Sequence, residues 1–104
     1  MTNKKALILL FDKCEECELI ITIDLLRRAG INVTIANVDD NMKPVVCDNN
    51  VKILPDIALK EVENELFDCI VVPGGPGFER LEKVLFNFKN QNYINFTILY
   101  FNLS

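Results

Sequence analysis

The stretch Phe67-Asp68-Cys69-Ile70-Val71-Val72 runs into Pro73-Gly74-Gly75-Pro76-Gly77, and this junction constrains the fold more than any other part of the chain. An unbroken apolar run bounded by Asp68 and Pro73 reads as a strand covered on both faces, the pattern of a parallel sheet. At the carboxyl end of such a strand, a glycine turn exposes backbone N–H groups where a ligand or an oxyanion would sit. Pro76 has no N–H, so the donors are Gly74, Gly75 and Gly77. A plainer reading of the same glycines is a tight turn that needs positive φ.

The rest of the chain alternates strand and helix patterns. Ala6–Phe11 is a continuous apolar run. Glu15–Ala29 reads as a helix, with acidic residues in its first turn, Arg27 and Arg28 in its last, and Gly30 as the stop. Ile31–Ala36 alternates like a strand. Val45–Cys47 and Val51–Leu54, separated by Asp48-Asn49-Asn50, read as a hairpin. A Glu-rich stretch, Ile57–Leu66, has helical character, and a further helix is expected over 79–89. This order predicts an α/β fold, a mostly parallel sheet with helices on both faces.

Composition changes near the end. Residues 87–104 hold no acidic residue but five asparagines and five of the nine aromatics. Phe96–Phe101 has strand propensity, so 92–104 reads as a divergent tail carrying at most one further strand.

Several function classes drop out. The chain has 104 residues, a net charge of −4 and no histidine. Histidine-based triads, imidazole acid–base chemistry and His-ligated metals are therefore excluded for these residues alone. The negative charge disfavours nucleic acid and anionic membranes as partners. Lys4 and Lys5 precede an apolar run of six residues that Asp12 stops, too short for an export signal, so a cytoplasmic setting with reduced thiols is expected. The Asn-Phe-Thr and Asn-Leu-Ser triplets are then chance glycosylation matches.

Cys14-Glu15-Glu16-Cys17 is a separate signal. A Cys-x-x-Cys between a strand and a helix is where a redox dithiol sits, and a helix N-terminus lowers thiol pKa. Neighbouring glutamates oppose that effect. Cys69, inside an apolar strand, reads as a small core residue, and Cys47, at a hairpin, as exposed. No metal site is completed, and no cofactor is implied.

Taken together, Lys5–Leu9, Glu15-Glu16-Cys17-Glu18, Asp24–Gly30, Val33-Thr34 and Phe67–Gly75 resemble the amino-terminal half of the ThiJ/PfpI family of deglycase-like proteins, over roughly residues 4–91. Gly74-Gly75-Pro76-Gly77 is also similar to class I glutamine amidotransferases, which share the broad fold. The resemblance implies a flavodoxin-like topology and a thiol enzyme acting on small carbonyl compounds in carbonyl and oxidative stress defence. It implies that Glu18 is the carboxyl partner of a cysteine nucleophile, that Gly75 offers an oxyanion amide and that Gly74 shapes the turn. The family cysteine lies at the end of the strand after the 79–89 helix; the matching place reads Thr97–Ser104, with neither cysteine nor glycine. The expectation is a truncated partial domain, 1–91, lacking its nucleophile and inactive in this form.

Two alternatives stand beside this reading. A thiol redox protein would use Cys14 and Cys17. A non-catalytic dimerisation or binding module would use the hairpin and the first helix, where Leu19, Ile23 and Leu26 form one apolar face and Ile20, Ile21 and Leu25 extend it around the helix. That helix predicts a homodimer, or self-association of an aggregation-prone partial domain.

Overall fold

A computed structural model of the chain describes residues 3–81, 83–84 and 97–101, with side chains described up to residue 78 and at 81, 83 and 84. Strand β1 (Lys5–Leu10) is the centre of a five-stranded parallel sheet, and five of its six residues are buried. This is why its sequence shows no polar alternation. Strands β2 (Asn32–Asn37) and β6 (Cys69–Pro73) flank it. The short β5 (Ile57–Ala58) pairs with β2, and β7 (Thr97–Phe101) pairs with β6. The order is β5-β2-β1-β6-β7. The chain winds outward on one side of β1 and then resumes on the other, so the switch point lies between β1 and β6. Ligands of open parallel sheets bind outside the carboxyl ends of the strands at such a point.

Helix α1 (Glu16–Arg28) connects β1 to β2 and packs across the sheet. Its start is fixed by Glu15, whose carboxylate accepts from the N–H groups of Cys17 and Glu18, each at 3.0 Å. Its end is fixed by Gly30 at φ 81°, where the N–H groups of Gly30 and Ile31 close on Arg27 and Leu26 carbonyls. Leu19 and Ile23 enter the core with Leu7, Ile8, Phe11 and Val71. β1 and β6 are locked in register by a reciprocal pair: Lys5 N–H donates to the Asp68 carboxylate and Asp68 N–H to the Lys5 carbonyl, each at 2.9 Å. Asp68 thus sets where the apolar strand begins.

The expected hairpin is present, as β3 (Val45–Val46) and β4 (Lys52–Ile53), antiparallel and separate from the main sheet. Its turn places Asn50 at φ 69°. The helix expected over Ile57–Leu66 is not there. Ile57 and Ala58 instead pair with Ala36 and Asn37 as β5, and only Leu59–Val62 forms a 3₁₀ helix. Sheet edge pairing and burial of Leu59 and Val62 override the helical propensity of the glutamates. A 3₁₀ helix, Pro76–Arg80, follows the glycine turn and leads into helical residues at 81 and 83–84. The remainder of the helix expected over 79–89 lies outside the described residues. Among the described residues, no helix is long and apolar enough to cross a membrane.

Candidate active site

Two loops meet at the switch point, the turn after β1 (residues 11–15) and the glycine turn after β6. Glu18, in the first turn of α1 and 2 % exposed, accepts the Gly74 N–H through Oε1 at 2.7 Å. The Glu15 N–H donates back to the Gly74 carbonyl at 2.8 Å. A bond of this length, made inside the protein, is stronger than the same bond would be in water. Gly74 is therefore held at both its amide and its carbonyl. Its N–H, read from the sequence as one of three donors for a ligand, belongs to Glu18.

Gly75 sits at φ 130° and ψ 162°. A Cβ there would lie 2.4 Å from the Lys13 carbonyl oxygen and 2.9 Å from the Cys14 Cα. At Gly77 a Cβ would meet the Asp12 carbonyl oxygen at 2.2 Å. The two backbones press together with no room for a side chain between them; both glycines answer close approach, and Gly75 positive φ as well. Lys13, at φ 63°, gives the β1 turn the curvature that fits against them.

Glu18 and the glycine turn are brought together as the resemblance implies, and face the carboxyl ends of β1 and β6. β7 runs beside β6 with Pro73 opposite Phe101. Asn102, the next residue in sequence after β7, lies outside the described residues.

The thiols are arranged differently from the sequence expectation. Cys14 is fully buried and its Sγ lies 3.7 Å from that of Cys47, while Cys17 is exposed on α1. Burial raises the Cys14 pKa, and the Glu16 and Glu15 charges add to the rise, so the lowering expected from the helix N-terminus does not prevail at this residue. Cys47 is 2 % exposed, a correction to the exposed hairpin cysteine expected, because the hairpin folds inward onto the β1 turn. Burial raises its pKa as well. Cys69 is half-buried and also raised, by burial and then by Asp68.

Glu16, read from sequence only as a helix-start charge, is a second buried carboxylate. It accepts from the Asn49 N–H at 2.9 Å, the Asn49 side-chain amide at 3.0 Å and the Val51 N–H at 3.3 Å. Burial works against its ionisation, yet its own backbone N–H, followed by the Asn49 and Val51 donors, outweighs it and holds the pKa below the ordinary value. No local sequence signal marks this contact, which joins residues 33 positions apart.

Two cavities are lined by described residues. A polar one of about 260 Å³ lies at the carboxyl ends of β1 and β2, lined by Asp12, Asn37, Asp39, Asn41 and Lys43 among others. An apolar groove of about 430 Å³ runs between α1 and the hairpin, with Ile20, Ile21, Ile23, Ile35 and Ile53 on its walls.

A parallel sheet of this order, with a buried carboxyl clasping a glycine turn at its switch point, defines the class: a flavodoxin-like α/β protein. The chain belongs to the DJ-1/PfpI family, whose profile matches residues 4–93. It is 47 % identical over 80 residues to the glutathione-independent glyoxalase DJR-1.2 of Caenorhabditis elegans, covering 76 % of this chain and 42 % of that protein. It is 47 % identical over 75 residues to the dj-1beta protein of Drosophila melanogaster, covering 72 % and 40 %. The oxidised DJ-1 structure from Toxoplasma gondii superposes with a TM-score of 0.83 at 33 % identity, over 93 % of this chain and 54 % of that one. The chain spans less than half the length of these two curated relatives.

Proposed function

We propose that these residues form the carboxyl-and-amide half of a cysteine-dependent glyoxalase- or deglycase-type site for small carbonyl compounds. The observation that carries this reading is the Glu18–Gly74 clasp at 2.7 Å, placed at the switch point. In such a site a thiol adds to an aldehyde carbon. The Glu18 carboxyl, buried beside the turn, holds and passes the thiol proton. The Gly75 N–H faces the alkoxide that forms on the carbonyl oxygen, where a preorganised donor has its largest effect. The similarity to a glyoxalase from Caenorhabditis elegans supports the carbonyl substrate class.

We further propose that the 104-residue chain does not turn over by itself. Cys14 and Cys47 are buried with raised pKa values, and the position after β7 is Asn102 rather than cysteine. Methylglyoxal consumption tests both statements. The wild-type chain is expected to be silent, and Asn102→Cys is expected to introduce turnover that Glu18→Ala then removes. Robust turnover by the unmodified chain would overturn the inactivity, and an Asn102→Cys activity indifferent to Glu18 would overturn the site.

A second reading is supported by the outer face of α1. Ile20, Ile21 and Leu25 are about half exposed or more, beside the apolar groove, and contiguous apolar surface of this kind suits a second copy of the chain. Sedimentation is expected to show dimers or larger species that Ile21→Glu dissolves. A monodisperse, cooperatively melting monomer would rule this reading out.

A further inference from the structure

The pair Cys14–Cys47 is not used by the site described above. The two residues are 33 positions apart, yet their sulfurs are 3.7 Å apart inside the core. Their backbones are fixed on both sides: the Lys13 N–H donates to the Val46 carbonyl and the Asp48 N–H to the Cys14 carbonyl, each at 2.9 Å. The Glu16 carboxylate binds the same hairpin from the helix side. Any approach of the two sulfurs therefore acts between two anchored segments. A disulfide needs about 2.05 Å, so each sulfur has to move by less than about 1 Å.

We propose that Cys14 and Cys47 form a reversible disulfide, a redox clasp that ties the hairpin to the β1 turn directly behind the glycine turn. The oxidant class is a hydroperoxide. The thiolate of one cysteine attacks the terminal peroxide oxygen, the O–O bond breaks, and the leaving hydroxide or alkoxide takes a proton, giving a sulfenic acid. The second thiol attacks that sulfur, the S–S bond forms and water leaves. With hydrogen peroxide the sum is two thiols and one peroxide giving one disulfide and two waters, two electrons passing from sulfur to oxygen.

Burial and the flanking glutamates keep both thiols protonated near neutral pH, so the clasp closes slowly and only as the hairpin opens. Its location gives it consequence. The Cys14 Cα is 2.9 Å from the point where a Gly75 side chain would begin, so the backbone that the disulfide would tether is the wall against which Gly75 rests. Oxidation would stiffen that wall without occupying the site.

The test is oxidation of the reduced 104-residue chain with hydrogen peroxide, followed by alkylation in denaturant, intact mass and peptide mapping. No Lys or Arg separates Cys14 from Cys17, so both fall in one tryptic peptide, and the Cys17→Ser chain assigns the bond. The expected result is a loss of two hydrogens in both the wild-type and Cys17→Ser chains, a link to the peptide bearing Cys47, reversal by dithiothreitol, and a melting temperature raised by about 10 °C or more. A bond between Cys14 and Cys17, or full alkylation of Cys14 and Cys47 after Cys17 has been consumed, would overturn it.

Discussion

Glu16 and Glu18 lie two residues apart on one turn of α1, both buried, and they reach in different directions. Glu16 turns toward the hairpin and satisfies three donors there, two from Asn49 and one from Val51. Glu18 turns toward the sheet and takes the Gly74 N–H at the switch point. The first carboxylate is a structural tether, kept ionised by its donors. The second holds the glycine turn at the carboxyl ends of the strands. A carboxylate's burial alone does not distinguish the two; the partner and the position relative to the strand ends do.

The contrast breaks or sharpens under substitution. The largest effect is expected at the turn that Glu18 holds: Gly75→Ala forces a Cβ to within 2.4 Å of the Lys13 carbonyl at a φ of 130°. A loss of about 3 kcal/mol or more in urea denaturation is expected. A loss under 0.5 kcal/mol would mean that the two loops do not press together as described.

Glu16→Ala comes next. It leaves the Asn49 and Val51 amides without their acceptor inside the fold, at a cost of about 2 kcal/mol. Amide exchange at Asn49 and Val51 should rise while the Gly74 amide stays protected. If both regions lose protection together, the two tethers are one unit and the comparison fails.

Acid sharpens the same distinction. The folded pKa of Glu16 is depressed, so its contribution is present above the unfolded value of about 4.3 and is lost as pH falls through the lower folded value. Hairpin amides should therefore lose protection below about pH 4 in the wild type. Glu16→Gln should flatten that dependence. An equally steep acid loss in Glu16→Gln would assign the effect to another group.

At the alkaline end the sign reverses in form. Cys14 and Cys47 stay protonated in the folded chain, while the unfolded thiols ionise above about 8.5. Stability should fall gradually above that pH, and the Cys14→Ala, Cys47→Ala chain should lose most of the slope, with Cys69 keeping the remainder. The smallest effect belongs to Glu18→Gln, which keeps an acceptor for Gly74 and should cost about 1 kcal/mol or less.

Much of the architecture was legible because it rests on short-range pattern. The β1 and β6 runs announce parallel strands, Gly30 ends α1, and the glycine turn marks the switch point. Ile57–Leu66 misled because its glutamates favour helix, while a two-residue pairing with Ala36 and Asn37 decided otherwise. At the switch point, attention to Glu18 and the glycine turn came through family resemblance, and the structure adds that Glu18 takes the Gly74 N–H and that close backbone approach leaves no room for a Cβ at Gly75 or Gly77. Cys47 and Glu16 were not legible as buried partners. Each depends on the hairpin folding back 33 positions onto Cys14 and the start of α1, and no local periodicity encodes that contact.

The central claim is that Glu18 holds the glycine turn in shape at the switch point. Amide exchange at Gly74 tests it most directly, compared between wild type, Glu18→Gln and Glu18→Ala. Protection is expected in the first two and its selective loss in the third, with β1 and α1 amides unchanged. A Gly74 amide that exchanges freely in the wild type, or that stays equally protected in Glu18→Ala, would contradict the claim.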